Sequence, residues 1–132
     1  MKNKLKVKRC RSLSKYDQNV LLPILMKGLE NKKGKANAVT SKQIIQAVRD
    51  HGLKINYRSF NMLINYIRMN DLIVGLLGSS TGYYISNNEQ DFINYEDSLL
   101  GREVALRKVR MTMQRQRRTM YAQIPERQAQ LF

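Results

Sequence analysis

The chain has 132 residues, of which 42% are hydrophobic and 26% charged, and a formal net charge of +14 at pH 7. That length suits one small domain with extensions, and the single cysteine, Cys10, excludes both an internal disulfide framework and a zinc site of paired cysteines. No apolar stretch follows the first lysines, so no secretory signal is expected; the run from Val20 to Met26, broken by Pro23, is too short to span a membrane.

The charge sits at the two ends. Residues 1–15 hold seven basic residues and no acid, residues 102–132 hold eight against Glu103 and Glu126, and residues 16–101 are nearly balanced. Solubility alone does not need one-signed ends. They point to a polyanionic partner, nucleic acid before an anionic membrane. The expectation is a cytoplasmic protein with no membrane partner.

In chain order, residues 1–15 alternate lysine with Leu5 and Val7 and read as a flexible basic arm. Leu21, Leu22, Leu25 and Leu29 at helical spacing predict a first helix over 17–30, with Pro23 either in its first turn or at a bend. Residues 31–38 form a polar loop around Gly34. Thr40 and Gln43 make a capping box that opens a short helix over 41–50, with Ile44, Ala47 and Val48 as its inner face; His51-Gly52 stops it. Leu53 and Ile55 plug the turn, and Asn56 caps a third helix over 57–70. Phe60, Leu63, Ile64 and Ile67 form the inner stripe of that helix, while Arg58, Asn61, Asn65 and Arg68 share the opposite side.

The runs 72–77 and 83–86 around GSSTG predict a β-hairpin. From Asn87 or Asn88 a long helix is predicted to about Tyr121. Phe92, Leu99, Leu106, Met113 and Met120 recur in it every seven residues, yet Arg102 and Gln116 among their companions argue against a sustained coiled coil. Its first half is expected to pack on the domain and its basic second half to project. The methionines Met111, Met113 and Met120 suit an adaptable protein surface or a dimer stripe.

No catalytic constellation stands out. His51 sits at a helix end, Cys10 has no base to pair with, and the glycines form no phosphate loop, so no enzyme, cofactor or metal is expected.

Three helices followed by a hairpin, with a tight turn between the second and third, is the order of a winged helix, and residues 20–86 resemble that superfamily. The stretch SKQIIQAVRDHGLKINYRSFNMLINYIRMNDLIVGLLGSSTGYYIS is similar to small winged-helix proteins of bacteriophages and mobile elements. In those proteins a recognition helix ending in a basic residue leads into a hairpin with a Gly-Tyr-Tyr strand, here Gly82-Tyr83-Tyr84. The resemblance implies an α+β fold: a winged-helix domain over 16–86 between a basic arm (1–15), a long C-terminal helix (87–121) and a tail (122–132). It also implies that the outward face of helix 57–70 enters a major groove. Arg58 and Arg68 would then fork onto guanine or phosphate and Asn61 and Asn65 onto adenine edges, with Tyr57 contacting phosphate. Ser79, Ser80 and Thr81 would form a wing that departs from strong DNA readers in having no Lys or Arg. Lys8, Arg9 and Arg11 of the arm and Arg107, Arg110 and Arg117 of the long helix would follow phosphates.

The segment Gln128-Ala129-Gln130-Leu131-Phe132 resembles the short motif by which bacterial proteins bind the sliding clamp of DNA polymerase. The resemblance implies that Gln128 bonds at a pocket rim while Leu131 and Phe132 fill an apolar cleft; Ala129 departs from the commonest leucine. Three readings stay open: a DNA-binding protein acting at replicating, duplex DNA and recruiting the clamp; a transcriptional regulator, as a homodimer on a palindromic site; or an inhibitor that binds a host protein instead of DNA.

Overall fold

The computed structural model describes residues 13–122. Residues up to Tyr95 and residues from Glu96 onward form two units. The first opens on Ser14, whose hydroxyl accepts the Asp17 N–H at 3.0 Å and whose carbonyl accepts the Gln18 N–H at 2.9 Å. Ser14 is therefore the start signal. A π-helical turn, Asp17–Leu21, then runs into α1, Leu22–Leu29. Pro23 explains the widened turn. It has no N–H for the carbonyl four residues back, and the Leu22 N–H reaches five residues back to the Asp17 carbonyl. The chain thus takes the proline without ending the helix.

The Thr40–Gln43 capping box is present in both directions, at 3.1 and 2.9 Å, and opens α2, Ser41–Asp50. Its buried residues are Ile45 and Val48, not the Ile44–Ala47–Val48 face expected. The stripe is turned by about one residue, leaving Ile44 half-buried and Ala47 exposed. Gly52, at φ +80°, makes the left-handed stop, and Ile55 is buried behind it. The Asn56 carboxamide accepts the Ser59 N–H at 2.8 Å and opens α3, Tyr57–Met69. Phe60, Leu63, Ile64 and Ile67 are each no more than 2% exposed. With Leu21, Leu25, Leu29, Ile45 and Val48 they form the core.

The first strand is shorter and later than its apolar run suggests, and the second begins one residue earlier. Strand β1 is Leu76–Ser79 and β2 is Gly82–Ile85, antiparallel, with Ser79 opposite Gly82 and a two-residue turn. Residues 72–75 are not strand, because Asp71 (φ +55°) just before them and Gly75 (φ +82°) at their end take the left-handed region. Strand β2 is hydrogen-bonded on both edges. Ile85 donates to the Lys32 carbonyl and accepts from the Gly34 N–H, and Tyr83 and Val39 exchange N–H···O bonds at 2.7 and 2.9 Å. Segment 32–39 thereby lies along the sheet edge that β1 leaves open, which removes an unpaired edge.

Asn88 caps the last helix, α4, Glu89–Met120: its carboxamide accepts the Asp91 N–H at 2.8 Å. No residue of α4 is buried, and only its first turns, through Tyr95, belong to the first unit. The expectation that its first half packs on the domain therefore narrows to those turns, where the Phe92 ring lies beside Gly75. None of the described helices is long and apolar enough to cross a membrane.

Candidate nucleic-acid interface

Helix α3 carries the candidate reading face, and its first turn is fastened from three sides. Asn56 caps it. The Tyr16 hydroxyl donates to the Lys54 carbonyl and accepts the Lys54 N–H, both at 3.0 Å. Arg49 reaches from the end of α2 to the Ile55 carbonyl with Nε at 3.1 Å and Nη2 at 2.9 Å. Arg49 is therefore a strut for the α2–α3 turn, a role nothing in its local sequence signals.

With the inner quartet locked in the core, rotation of α3 is fixed, and so is its outer face. Arg58, Asn61 and Asn65 are exposed there, and Tyr57 is half exposed at the first turn. At 1.5 Å per residue, Tyr57 to Asn65 spans about 12 Å of helix, comparable to the width of a B-DNA major groove. The helix contains two arginines and no carboxylate, so no negative side chain of its own opposes a phosphate or a base acceptor. Arg58 supplies a planar fork, and each asparagine offers one donor and one acceptor edge.

Arg68 does not share this role. Its Nε donates to the Leu76 carbonyl at 2.9 Å. Its guanidinium lies 5.6 Å from the Tyr83 ring centroid and 5.1 Å from that of Tyr95, within cation–π range of both. Nη2 is buried and meets no acceptor among the described residues. Arg68 thus ties the end of α3 to the hairpin and to the start of α4. Tyr83 also packs edge-on against Phe60, centroids 5.5 Å apart. Sequence spacing put Arg68 on the outer face because i, i+3 and i+7 positions look alike until β2 and α4 arrive beside it.

The hairpin tip divides the two serines. The Ser79 hydroxyl lies 2.8 Å from that of Thr81, accepts the Thr81 N–H at 3.2 Å and donates to the Gly82 carbonyl at 3.3 Å. It is committed to the turn. Ser80 is exposed. Behind Gly82 there is no room: a Cβ there would stand 2.4 Å from the Val39 carbonyl atoms, and its φ is +122°. On the same strand, burial pushes the Tyr84 hydroxyl above its usual pKa, and the nearby Asp91 carboxylate adds to the effect.

Arg107, Arg110 and Arg117 lie exposed on α4 in the second unit. Lys8, Arg9, Arg11, Gln128, Leu131 and Phe132 lie outside the described residues.

Sequence reading missed one further feature. An apolar groove of about 610 Å³ runs between α1 and α2, lined by Ile24, Gly28, Ile44, Ala47 and Leu53 with Lys27 and Lys32 among its polar residues. It is the space left where α2 turns Ile45, not Ile44, into the core. Among the described residues no cluster of three or more His, Cys, Asp or Glu side chains has the placement to hold a metal ion. Comparison of the chain with protein-family models, with curated proteins and with solved structures finds no match.

Proposed function

We propose that this chain is a small DNA-binding protein of winged-helix type, acting at replicating DNA as proteins of phages and mobile elements do. In this reading α3 lies in the major groove of duplex DNA and the basic segments contact phosphates on either side. The segment Gln128–Phe132 docks on a bacterial sliding clamp. One observation carries the DNA part: Arg58, Asn61 and Asn65 stand exposed together on a helix whose opposite face is wholly core and which bears no carboxylate.

The test is binding of a labelled duplex, followed by fluorescence anisotropy over a salt series. Asn61→Ala or Asn65→Ala should weaken sequence-selective binding about tenfold, the scale of one lost base contact at roughly 1–3 kcal/mol, with the melting temperature unchanged. Affinity should fall linearly on a log–log salt plot, by roughly 0.9 per phosphate contacted. Unchanged affinity in both variants, or a flat salt plot, removes DNA reading by α3.

A second reading has a specific observation behind it: the hairpin tip carries no Lys or Arg, and Ser79 is spent on its own turn. A host-protein inhibitor needs no charged wing. It predicts poor binding of free duplex. It also predicts a bacterial protein that copurifies with the intact chain and is lost when Leu131 and Phe132 are removed.

A further inference from the structure

The second unit contains a helix without a core. No residue of α4 is buried, and Leu99, Leu106, Val109, Met113 and Met120 are 44–73% exposed. Isolated helices draw most of their stability from packing an apolar face, so this face calls for a partner. Its pattern is specific. Leu99, Leu106, Met113 and Met120 recur every seven residues, and Val109 sits three beyond Leu106, which makes one seam. Along one flank of the seam run Glu96, Glu103, Arg110 and Arg117, again seven apart, with the sign of charge reversing halfway. Along the other run Ser98, Ala105, Thr112 and Thr119.

We infer that this face pairs with the same face of a second copy of the chain, with the two helices antiparallel. A parallel pair would hold the two basic halves, with six cations from Arg107 to Arg118 in each, at the same level, where like charges repel. It would also set the flank of Glu96, Glu103, Arg110 and Arg117 against the uncharged flank of the partner, leaving its charges unpaired. In the antiparallel pair, Leu99 of one copy packs against Val109 of the other. That register places Glu96 against the partner's Arg117 and Glu103 against the partner's Arg110, and two-fold symmetry repeats both pairs. The small flank carries no charge of its own and leaves room on that side for the Arg102 head. Arg102, in the seam opposite Leu106, lays its stem along apolar surface and turns its head outward, toward the Ser98 hydroxyl 3.4 Å away on its own helix. Arg102 and Gln116 are the two polar seam positions; they keep the paired stretch short, centred on Leu99, Leu106 and Val109, and polar seam positions favour a single register.

The pairing stands independently of DNA binding, but it sharpens that reading. Arg110 and Arg117 belong to the seam flank, whereas Arg107, Lys108, Arg115 and Arg118 lie away from it and stay free for a polyanion. A dimer would then carry two sets of those four.

The test uses the full chain freed of nucleic acid. Sedimentation equilibrium should show a reversible dimer. Glu103→Arg and Arg110→Glu should each weaken it on the order of tenfold, since each reverses two pairs, and the double variant should regain the original affinity. Orientation is read by electron-spin distances from a nitroxide at Arg118→Cys in a Cys10→Ser background. At 1.5 Å per residue the labels should lie about 40 Å apart in the antiparallel pair and within about 20 Å in a parallel one. A monomer at every concentration, a short label distance, or a double variant no better than either single one overturns the inference.

Discussion

Helices α3 and α4 both present arginines to solvent, yet only one of them is told by the rest of the molecule where to point. In α3 four side chains are sunk to 2% exposure or less and the first turn is tied by Asn56, Tyr16 and Arg49. Its outward residues are therefore held in a fixed direction, and that preorganisation is what base-edge recognition requires. In α4 none of the residues between Glu89 and Met120 is buried. Its arginines are placed relative to one another by the helix alone. Phosphates and a second helix can use such a surface, because both read charge and periodicity along an axis rather than a single aimed fork.

The sharpest way to break that contrast is at Gly82. A Cβ at 2.4 Å from the Val39 carbonyl, on a residue at φ +122°, has no flexible neighbour to displace, since both groups are backbone. Gly82→Ala should cost about 3 kcal/mol or more of unfolding free energy, measured by urea denaturation, while the helical signal of α4 persists past the melting of the body. Coincident loss of all helix would mean that α4 depends on the body after all.

Arg68→Ala comes next. It removes the bond to the Leu76 carbonyl and two ring contacts, but it also removes the buried Nη2, which meets no partner among the described residues. The net cost should be between about 1 and 3 kcal/mol. The diagnostic reading is the pairing of the two effects: DNA affinity at a temperature where the variant is fully folded should be nearly that of the parent. A large affinity loss without destabilisation would return Arg68 to the reading face.

The smallest change belongs to α4. Gly101 has nothing within 4 Å of its Cβ position. Gly101→Ala should stabilise α4 by roughly the 0.5–1 kcal/mol that separates the two residues in a helix interior, raising its helix content. Circular dichroism would register it, and the unfolding midpoint of the body should stay where it is.

Much of the fold was legible residue by residue. The capping box at Thr40–Gln43, the Asn56 cap, the Gly52 stop and the inner quartet of α3 are local or periodic signals, and the chain obeys them. The misreadings have local causes too. Residues 72–75 look like strand by composition, but positive φ at Asp71 and Gly75 takes them out of the ladder. Ile44 and Ile45 are adjacent and equally apolar, so the phase of α2 depends on which neighbour it meets. The first helix was expected from residue 17, but the Ser14 hydroxyl already holds the Asp17 N–H. Of the candidate site, Tyr57, Arg58, Asn61 and Asn65 were readable because α3 is strongly two-faced. Arg68, Ser79 and Arg49 were not, because each is decided by a backbone carbonyl or an aromatic ring brought in from another element or from across the turn.

The sequence by itself determined where α2 and α3 begin and end, which stripe of α3 is buried, and that the charge lies in the terminal segments. Those properties follow from hydrogen-bonding groups within four residues of each other and from a period of 3.6. Only the tertiary structure decided which arginines are free. Arg58 and Arg68 are chemically identical and ten residues apart on one helix, but β2 and the start of α4 close over the second. Packing beside two tyrosine rings commits that half-buried guanidinium to holding the fold together.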